Sequence, residues 1–377
     1  MLLSSTRRDT RFETIREKLA AGERLSVEDG IYLFSPAVDL HALGRLAEER
    51  CLERHGPIAY YNLNDHLNPS NLCVYSCRFC AYSRKVGDAD AYELNFDQML
   101  ARAQSAVDRG ATELHIVGGI HPEKPFSWYL DILRTIHEAF PRLHLKAWTA
   151  VEIVWFARLT KKPYRWVLEQ LIEAGLGSLP GGGAEIFAPH VRKQIAPGKA
   201  DADQWLEAHR AAHALGLKSN ATMLYGHIES PADRIDHMRR LRELQDETGG
   251  FQTFIPLSFH PKGTQLAHLE QSTSLDDLRV IAVSRLFLDN FPHIKAYWIS
   301  LGVGTAQVAL AYGADDLDGT VYHEQIHHEA GSEAPDALTV DQLRGLIEEA
   351  GRRPVERDSL YRRVVRNGTE WRIAEAS

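Results

Sequence analysis

Three cysteines, Cys73, Cys77 and Cys80, stand within eight residues in the segment NLCVYSCRFCAYSR. Their spacing is C-x3-C-x2-C, with Phe79 just before the last one. Three thiolates on one short loop can ligate three irons of a [4Fe-4S] cubane. The fourth iron then has no protein ligand and can chelate a small molecule. Other chemistry fits less well. A structural zinc site closes with four ligands, so Cys51 or His66 would have to supply the last one. A cluster that only carries electrons also uses four cysteines, and three plain reduced thiols are the blandest alternative. Cys51 lies in the amphipathic run LGRLAEERCLERHG, where a half-buried structural thiol is expected.

A second pattern points to a different class. YHEQIHHE contains H-E-x-x-H, with His323, Glu324 and His327 in the zinc-protease spacing that puts two histidines on one helix face. Ala330 stands where the extended motif needs Gly, and the pattern directly follows a candidate strand. Glu348 or Glu349 would have to serve as third ligand. A zinc hydrolase is therefore the minor alternative.

Side chains of either kind need a frame. From about Ile58 short apolar or β-branched runs recur: IAYYNLN, TELHIVGG, LHLKAWTA, LGSLPGGG, KSNATMLYG, FQTFIPLSF, IKAYWISLG and LDGTVYH. Amphipathic stretches such as FDQMLARAQSAVDRG, YRWVLEQLIEAG and ADQWLEAHRAAHALG lie between most of them, several stopped by Gly. Repeated strand, helix and strand predicts parallel βαβ units. Eight such runs predict a (β/α)8 TIM-type barrel, for which roughly 250 residues suffice. No Gly-rich dinucleotide fingerprint follows the first run, which counts against a doubly wound sheet. Residues 1–56 read as an N-terminal helical extension: Phe12, Ile15 and Leu19 fall at helical spacing, as do Leu40, Leu43, Leu46 and Ala47, with Asp39 as a cap. The barrel is expected over residues 57–330 and a helical C-terminal segment packed on it over 331–377, all in one structural domain.

Active sites in such barrels lie at the C-terminal ends of the strands. That rule selects Gly118 and Gly119, Thr149, Gly181 to Glu185, Asn220, His227, Ser258 and His260. The cysteine loop follows the first run, so a cluster would sit at the same mouth.

The net charge of -8 argues against a general binder of nucleic acid or of anionic membranes. No apolar run is long enough to span a bilayer, so no membrane insertion is expected. The start, MLLSSTRRDTRFETIREKLA, shows no apolar stretch ahead of its charges, and only four cysteines occur. A reducing cytoplasm is the expected compartment.

The three-cysteine loop at a barrel mouth resembles the radical S-adenosylmethionine superfamily. Further blocks, among them CRFCAYSRKVGDADAY, ATELHIVGGIHPEKPFSWYLD, LPGGGAEIF, IAPGKA, SNATMLYGHIE, RLRELQDETGGFQTFIPLSFHP, DNFPHIKAYW and GADDLDGT, resemble the aminofutalosine synthases of menaquinone biosynthesis. The likeness runs in order from about Leu25 to Tyr361; Tyr75, Ser76 and Tyr82 depart from the residues expected there. The resemblance implies a [4Fe-4S] cluster on Cys73, Cys77 and Cys80, with S-adenosylmethionine as cosubstrate. It implies an adenosyl radical that adds to the enol-ether double bond of 3-[(1-carboxyvinyl)oxy]benzoate. Aryl migration and loss of carboxylate would follow, giving 6-amino-6-deoxyfutalosine, methionine and bicarbonate, in a small-molecule transferase that needs a reducing donor such as flavodoxin or ferredoxin.

On that reading Phe79, Gly118, Gly119, Thr149 and Glu185 are candidates to meet the cofactor. Arg84, Asn220, His227 and His260 are candidates to meet the dianionic substrate, Arg84 because a guanidinium suits a carboxylate. His260 and Tyr297 are candidates for a role at the migrating oxygen. The related cyclase of the same pathway, dehypoxanthine futalosine cyclase, and a non-catalytic iron–sulfur redox sensor stay open as alternatives.

Overall fold

The structure, a computed structural model, describes residues 10–375; residues 1–9 of the expected extension and 376–377 of the tail lie outside the described residues. Its strands are β1 (Ile58–Asn62), β2 (Asn64–Leu67), β3 (Glu113–Ile116), β4 (His144–Ala147), β5 (Leu176–Leu179), β6 (Lys218–Tyr225), β7 (Phe251–Ser258), β8 (His293–Ile294), β9 (Asp316–Gly319), β10 (Arg353–Glu356), β11 (Val364–Asn367) and β12 (Glu370–Ile373).

Strands β2 to β8 form one parallel sheet in sequence order. The sheet curls until β9 fills the remaining gap. Lys295, just past β8, bridges Asp316, and Asp65 of β2 bridges Tyr322, both in parallel. Ala296 N–H donates to the Asp316 carbonyl and His66 N–H to the Tyr322 carbonyl. Eight parallel strands thus ring the core, as the sequence predicts. The seam at β9 rests on single bridges because β9 also pairs with β1, in a small sheet of order β10-β1-β9. The first apolar run is accordingly two strands, broken at Leu63: β1 lies outside the ring and β2 inside it.

Between strands the helices start and stop where local chemistry dictates. Capping boxes join Asn95 to Gln98, Asp201 to Gln204 and Ser230 to Asp233 at the starts of Phe96–Asp108, Ala202–Ala214 and Pro231–Thr248. The last of these ends on Gly249 in the left-handed conformation. The expected N-terminal helices are present as Thr10–Ala20, Val27–Leu33 and Leu40–His55. Phe12, Ile15 and Leu19 are buried, and Asp39 accepts from Ala42 N–H at 2.6 Å.

The C-terminal segment differs from the helical tail expected of it. One helix, Val340–Glu349, is followed by β10 and the β11–β12 hairpin. Pro354 has no N–H to give a helix, Val355, Val364 and Val365 favour strands, and Gly368 at φ 60° makes the tight turn.

Charged pairs lie inside the ring where branched apolar layers are the rule. Lys146 of β4 meets Glu113 of β3 at 2.5 Å with both side chains almost wholly buried. Lys295 meets Asp318 at 3.0 Å, and Arg357 reaches in to Asp316 at 2.7 Å. At the N-terminal ends of the strands, Asp315 is held by Arg285 and His293.

Candidate active site

The C-terminal ends of the strands open on a cavity of about 300 Å³. The loop after β2 forms one wall. Backbone bonds fix it: Cys73 N–H donates to Arg84 O at 3.0 Å, Val74 N–H to Ile120 O at 2.9 Å and Arg78 N–H to Ile195 O at 2.7 Å. Gly118 and Gly119 allow this seating. A Cβ on Gly118 would lie 2.7 Å from Ser70 O, and one on Gly119 2.7 Å from the Leu72 carbonyl carbon. Both glycines face the cavity, so their smallness serves the cysteine loop as well as whatever enters.

Cys73, Cys77 and Cys80 all line the cavity and form no disulfide. Their sulfurs are not all within 4.8 Å of one another. Thiolates on one tetrahedral zinc at Zn–S distances of about 2.3 Å stand about 3.8 Å apart. On a cubane cluster each of the three sulfurs would take a different iron. Burial pushes the Cys77 thiol up to about 11 and raises that of Cys73. Lys199 acts in the opposite direction on both sulfurs, and a metal bound there would favour the thiolates further.

Around the wall, Thr149 caps the helix Ala150–Thr160, accepting from Val151 N–H at 3.2 Å and bonding the buried Glu152 carboxylate. Burial raises the Glu152 pKa against the Thr149 hydrogen bond. Glu185, after β5, sits at φ 47°, a left-handed strain that a non-glycine residue rarely adopts. Its carboxylate receives Lys199 Nζ at 2.5 Å, and that ammonium also lies 5.3 Å from the centre of the Phe79 ring. Burial works against the charge on Lys199, but Glu185 and Cys77 outweigh it and its pKa rises.

On the remaining strands, Asn220 of β6, Ser258 of β7 and His260 beyond it, and Tyr297 beyond β8 line the cavity. His260 Nε2 is 2.8 Å from Ser300 O, and burial lowers its pKa. Glu324 and His327, past β9, complete the wall.

Two expected residues are elsewhere. Arg84 is not in the wall: its guanidinium bonds Asp90 at 2.7 Å, Glu329 at 3.4 Å and Ala81 O at 2.6 Å. His227 is also outside the wall. Its side chain is fully buried, with its ring nitrogens 2.9 Å from Glu229 and 3.1 Å from Leu224 O. Lys199, Glu152, Glu324, His66 and His115 are lining residues that strand-end reasoning did not select.

The H-E-x-x-H pattern does not form a zinc site. His323 has φ 62° and its Nδ1 lies 2.8 Å from Asp65, while the helix begins only at Ile326. The two histidines therefore do not share a helix face. Among the described residues, the three-residue group close enough to hold one ion is His55, His293 and Asp315, at the strands' opposite ends. Arg285 already occupies Asp315 there.

A profile of the radical SAM superfamily matches residues 67–241, and one described as the CofH/MqnC C-terminal region matches residues 248–368. The chain is 50% identical over 361 residues to an aminodeoxyfutalosine synthase of Thermus thermophilus, covering 95% of this chain and 97% of that protein. It is 40% identical over 332 residues to a 5-amino-6-(D-ribitylamino)uracil--L-tyrosine 4-hydroxyphenyl transferase of Methanopyrus kandleri, covering 87% of this chain and 90% of that protein. Among solved structures, the FeFe-hydrogenase maturase HydG of Carboxydothermus hydrogenoformans matches with TM-score 0.72 at 16% identity. That match covers 93% of this chain and 81% of that chain, and is a likeness of fold.

Proposed function

The chain belongs to the aminodeoxyfutalosine synthase family of the radical SAM superfamily, and from that premise we propose that it joins the adenosyl part of S-adenosylmethionine to 3-[(1-carboxyvinyl)oxy]benzoate. The observation that carries the proposal is half-identity along nearly the full length of both chains, well above the 40% shared with the 4-hydroxyphenyl transferase. Members of the superfamily use a [4Fe-4S] cluster and S-adenosylmethionine, which together supply a 5′-deoxyadenosyl radical when the cluster is reduced.

The chain's own residues do the rest. Cys73, Cys77 and Cys80 hold the cluster. The backbone at Gly118 and Gly119, with Phe79, Thr149 and Glu185, surrounds the cofactor, and Lys199 balances the Glu185 charge. Asn220, His260 and Tyr297 face the substrate from the later strands. Burial of these groups excludes water from a reacting radical. A low-potential protein such as flavodoxin or ferredoxin is the reductant we infer, in a reducing cytoplasm where cysteines stay out of disulfides.

The test is an anaerobic assay of the reconstituted, reduced protein with both substrates, read by mass spectrometry. An adenine-containing adduct at the mass of aminodeoxyfutalosine, lost together with bound iron in C73S, C77S and C80S, is the expected result. Release of 5′-deoxyadenosine and methionine alone would keep the radical chemistry but reject the substrate, and the cyclase reaction would be assayed next. No cofactor cleavage by a fully loaded cluster would turn the reading toward a sensor.

A further inference from the structure

The proposed substrate carries two carboxylates, yet no arginine stands in the cavity wall among the described residues. The lysine in that wall, Lys199, is committed to Glu185. The remaining basic side chains are histidines: His66, His115, His260 and His327. His66 and His115 face each other at 4.7 Å between ring centres, and burial keeps both from charging. His260 donates Nε2–H to Ser300 O at 2.8 Å, so only its Nδ1 lone pair is left, and a carboxylate is repelled by a lone pair.

His327 is different. Its Nδ1 lies 3.3 Å from Glu324 Oε1, and its backbone N–H donates to the same carboxylate at 3.0 Å. Tyr297 and His260 brace the ring edge-on, with centres 5.3 Å and 6.3 Å away. With Nδ1 turned to Glu324, the Nε2 edge of the ring is the one left to face a ligand. The three residues follow β7, β8 and β9, whereas the cysteines, Gly119 and Glu185 follow β2, β3 and β5.

We propose that His327, oriented by Glu324, donates a charge-assisted hydrogen bond to a carboxylate of the substrate. The inference rests on the reaction proposed for this chain. Glu324 is then a positioning residue: it makes no contact with the substrate and acts by fixing the ring of His327. The site takes an aryl or vinyl carboxylic acid, whose carboxylate meets the histidine beside Tyr297 and His260.

The test is calorimetric titration of 3-[(1-carboxyvinyl)oxy]benzoate into the full-length, unreduced protein, with KM and kcat measured in parallel. H327F removes the donor and keeps a ring; its Kd is expected to rise roughly tenfold or more, with KM following it. H327Q keeps an N–H and is expected to lose less. E324Q is expected to weaken binding, and to add little when combined with H327F. A wild-type Kd in H327F overturns the proposal, as does an equal loss in H327F and H327Q, which marks shape rather than a donor. Wild-type protein that neither binds nor converts this compound overturns the functional reading itself, and the proposal with it.

Discussion

Lys199 Nζ lies 2.5 Å from Glu185 Oε1, and both side chains are nearly closed off from solvent. Breaking such a buried pair from one side leaves a charge with no partner, at a cost of about 3–5 kcal/mol. K199A is expected to lower the unfolding free energy of the cluster-free protein by that order, measured by urea denaturation. Removing both charges with K199M/E185L is expected to recover most of it. A K199A protein as stable as wild type would mean that the pair contributes nothing to the fold.

Gly119 meets the cysteine loop backbone to backbone. G119A forces either the loop or the end of β3 to move, with an overpacking cost of about 1–3 kcal/mol. Because the displaced atoms belong to Leu72, next to the first cysteine, iron content after reconstitution is expected to fall along with stability. Full iron loading in G119A would show that the loop adjusts freely.

Arg84 spends its donors on Asp90, Glu329 and Ala81 O, away from the cavity. R84Q is therefore expected to leave the Kd for the benzoate substrate within about twofold of wild type, since rim pairs are worth roughly 0–1 kcal/mol. A tenfold loss would return Arg84 to the role that the sequence suggested for it.

Inside the ring, Lys146 outweighs the burial penalty on Glu113 and holds that carboxyl well below the usual range. E113Q strands a buried ammonium and is expected to destabilise by about 3–5 kcal/mol, whereas E113L/K146M is expected to lie close to wild type. Denaturation midpoints of the two variants decide this; equal losses would locate the effect in packing rather than charge.

The pair of Glu324 and His328 sets a pH window. Hydrogen bonding to Glu324 raises the His328 pKa to about 9. Its contribution is complete below the ordinary histidine value near 6.5 and is lost as pH rises through 9. Glu324 is held below the carboxylate range because its bonds to His327 and His328 outweigh burial, so its share is lost only in acid. Wild-type stability relative to H328Q is expected to decline between pH 6.5 and 9. A pH-independent difference in urea midpoint over that span would rule the linkage out.

The cysteine loop at the cavity mouth and the eight strand runs were legible because they are local: a spacing of three thiols, and short apolar segments punctuated by glycine. The ionic interior was not. Glu113, Leu114, His115 and Ile116 alternate as any half-buried strand would, and alternation does not say that the polar face turns inward to Lys146. Arg84 shows the same limit for a long side chain, whose direction depends on Asp90 and Glu329 arriving from other segments. His327 was masked by its own neighbourhood: H-E-x-x-H describes a helix, and the left-handed backbone of His323 dissolves it. The C-terminal hairpin was within reach, since Asn367-Gly368 flanked by valines and a tryptophan is a turn signal.

The seam at β9 has a consequence for the order of events during synthesis. Strands β2 to β8 pair with neighbours already made, so that sheet can assemble as the chain leaves the ribosome, N-terminal parts first. Asn64 instead waits for Thr320, 256 residues later, and β1 waits for β9 and β10. Strands β2 to β8 by themselves carry the Cys73, Cys77 and Cys80 side of the cavity and lack the Glu324–His327 side. The wall that completes the cavity, Glu324 and His327, thus comes after every strand of the main sheet in the chain, and the β11–β12 hairpin that follows it takes no part in the lining.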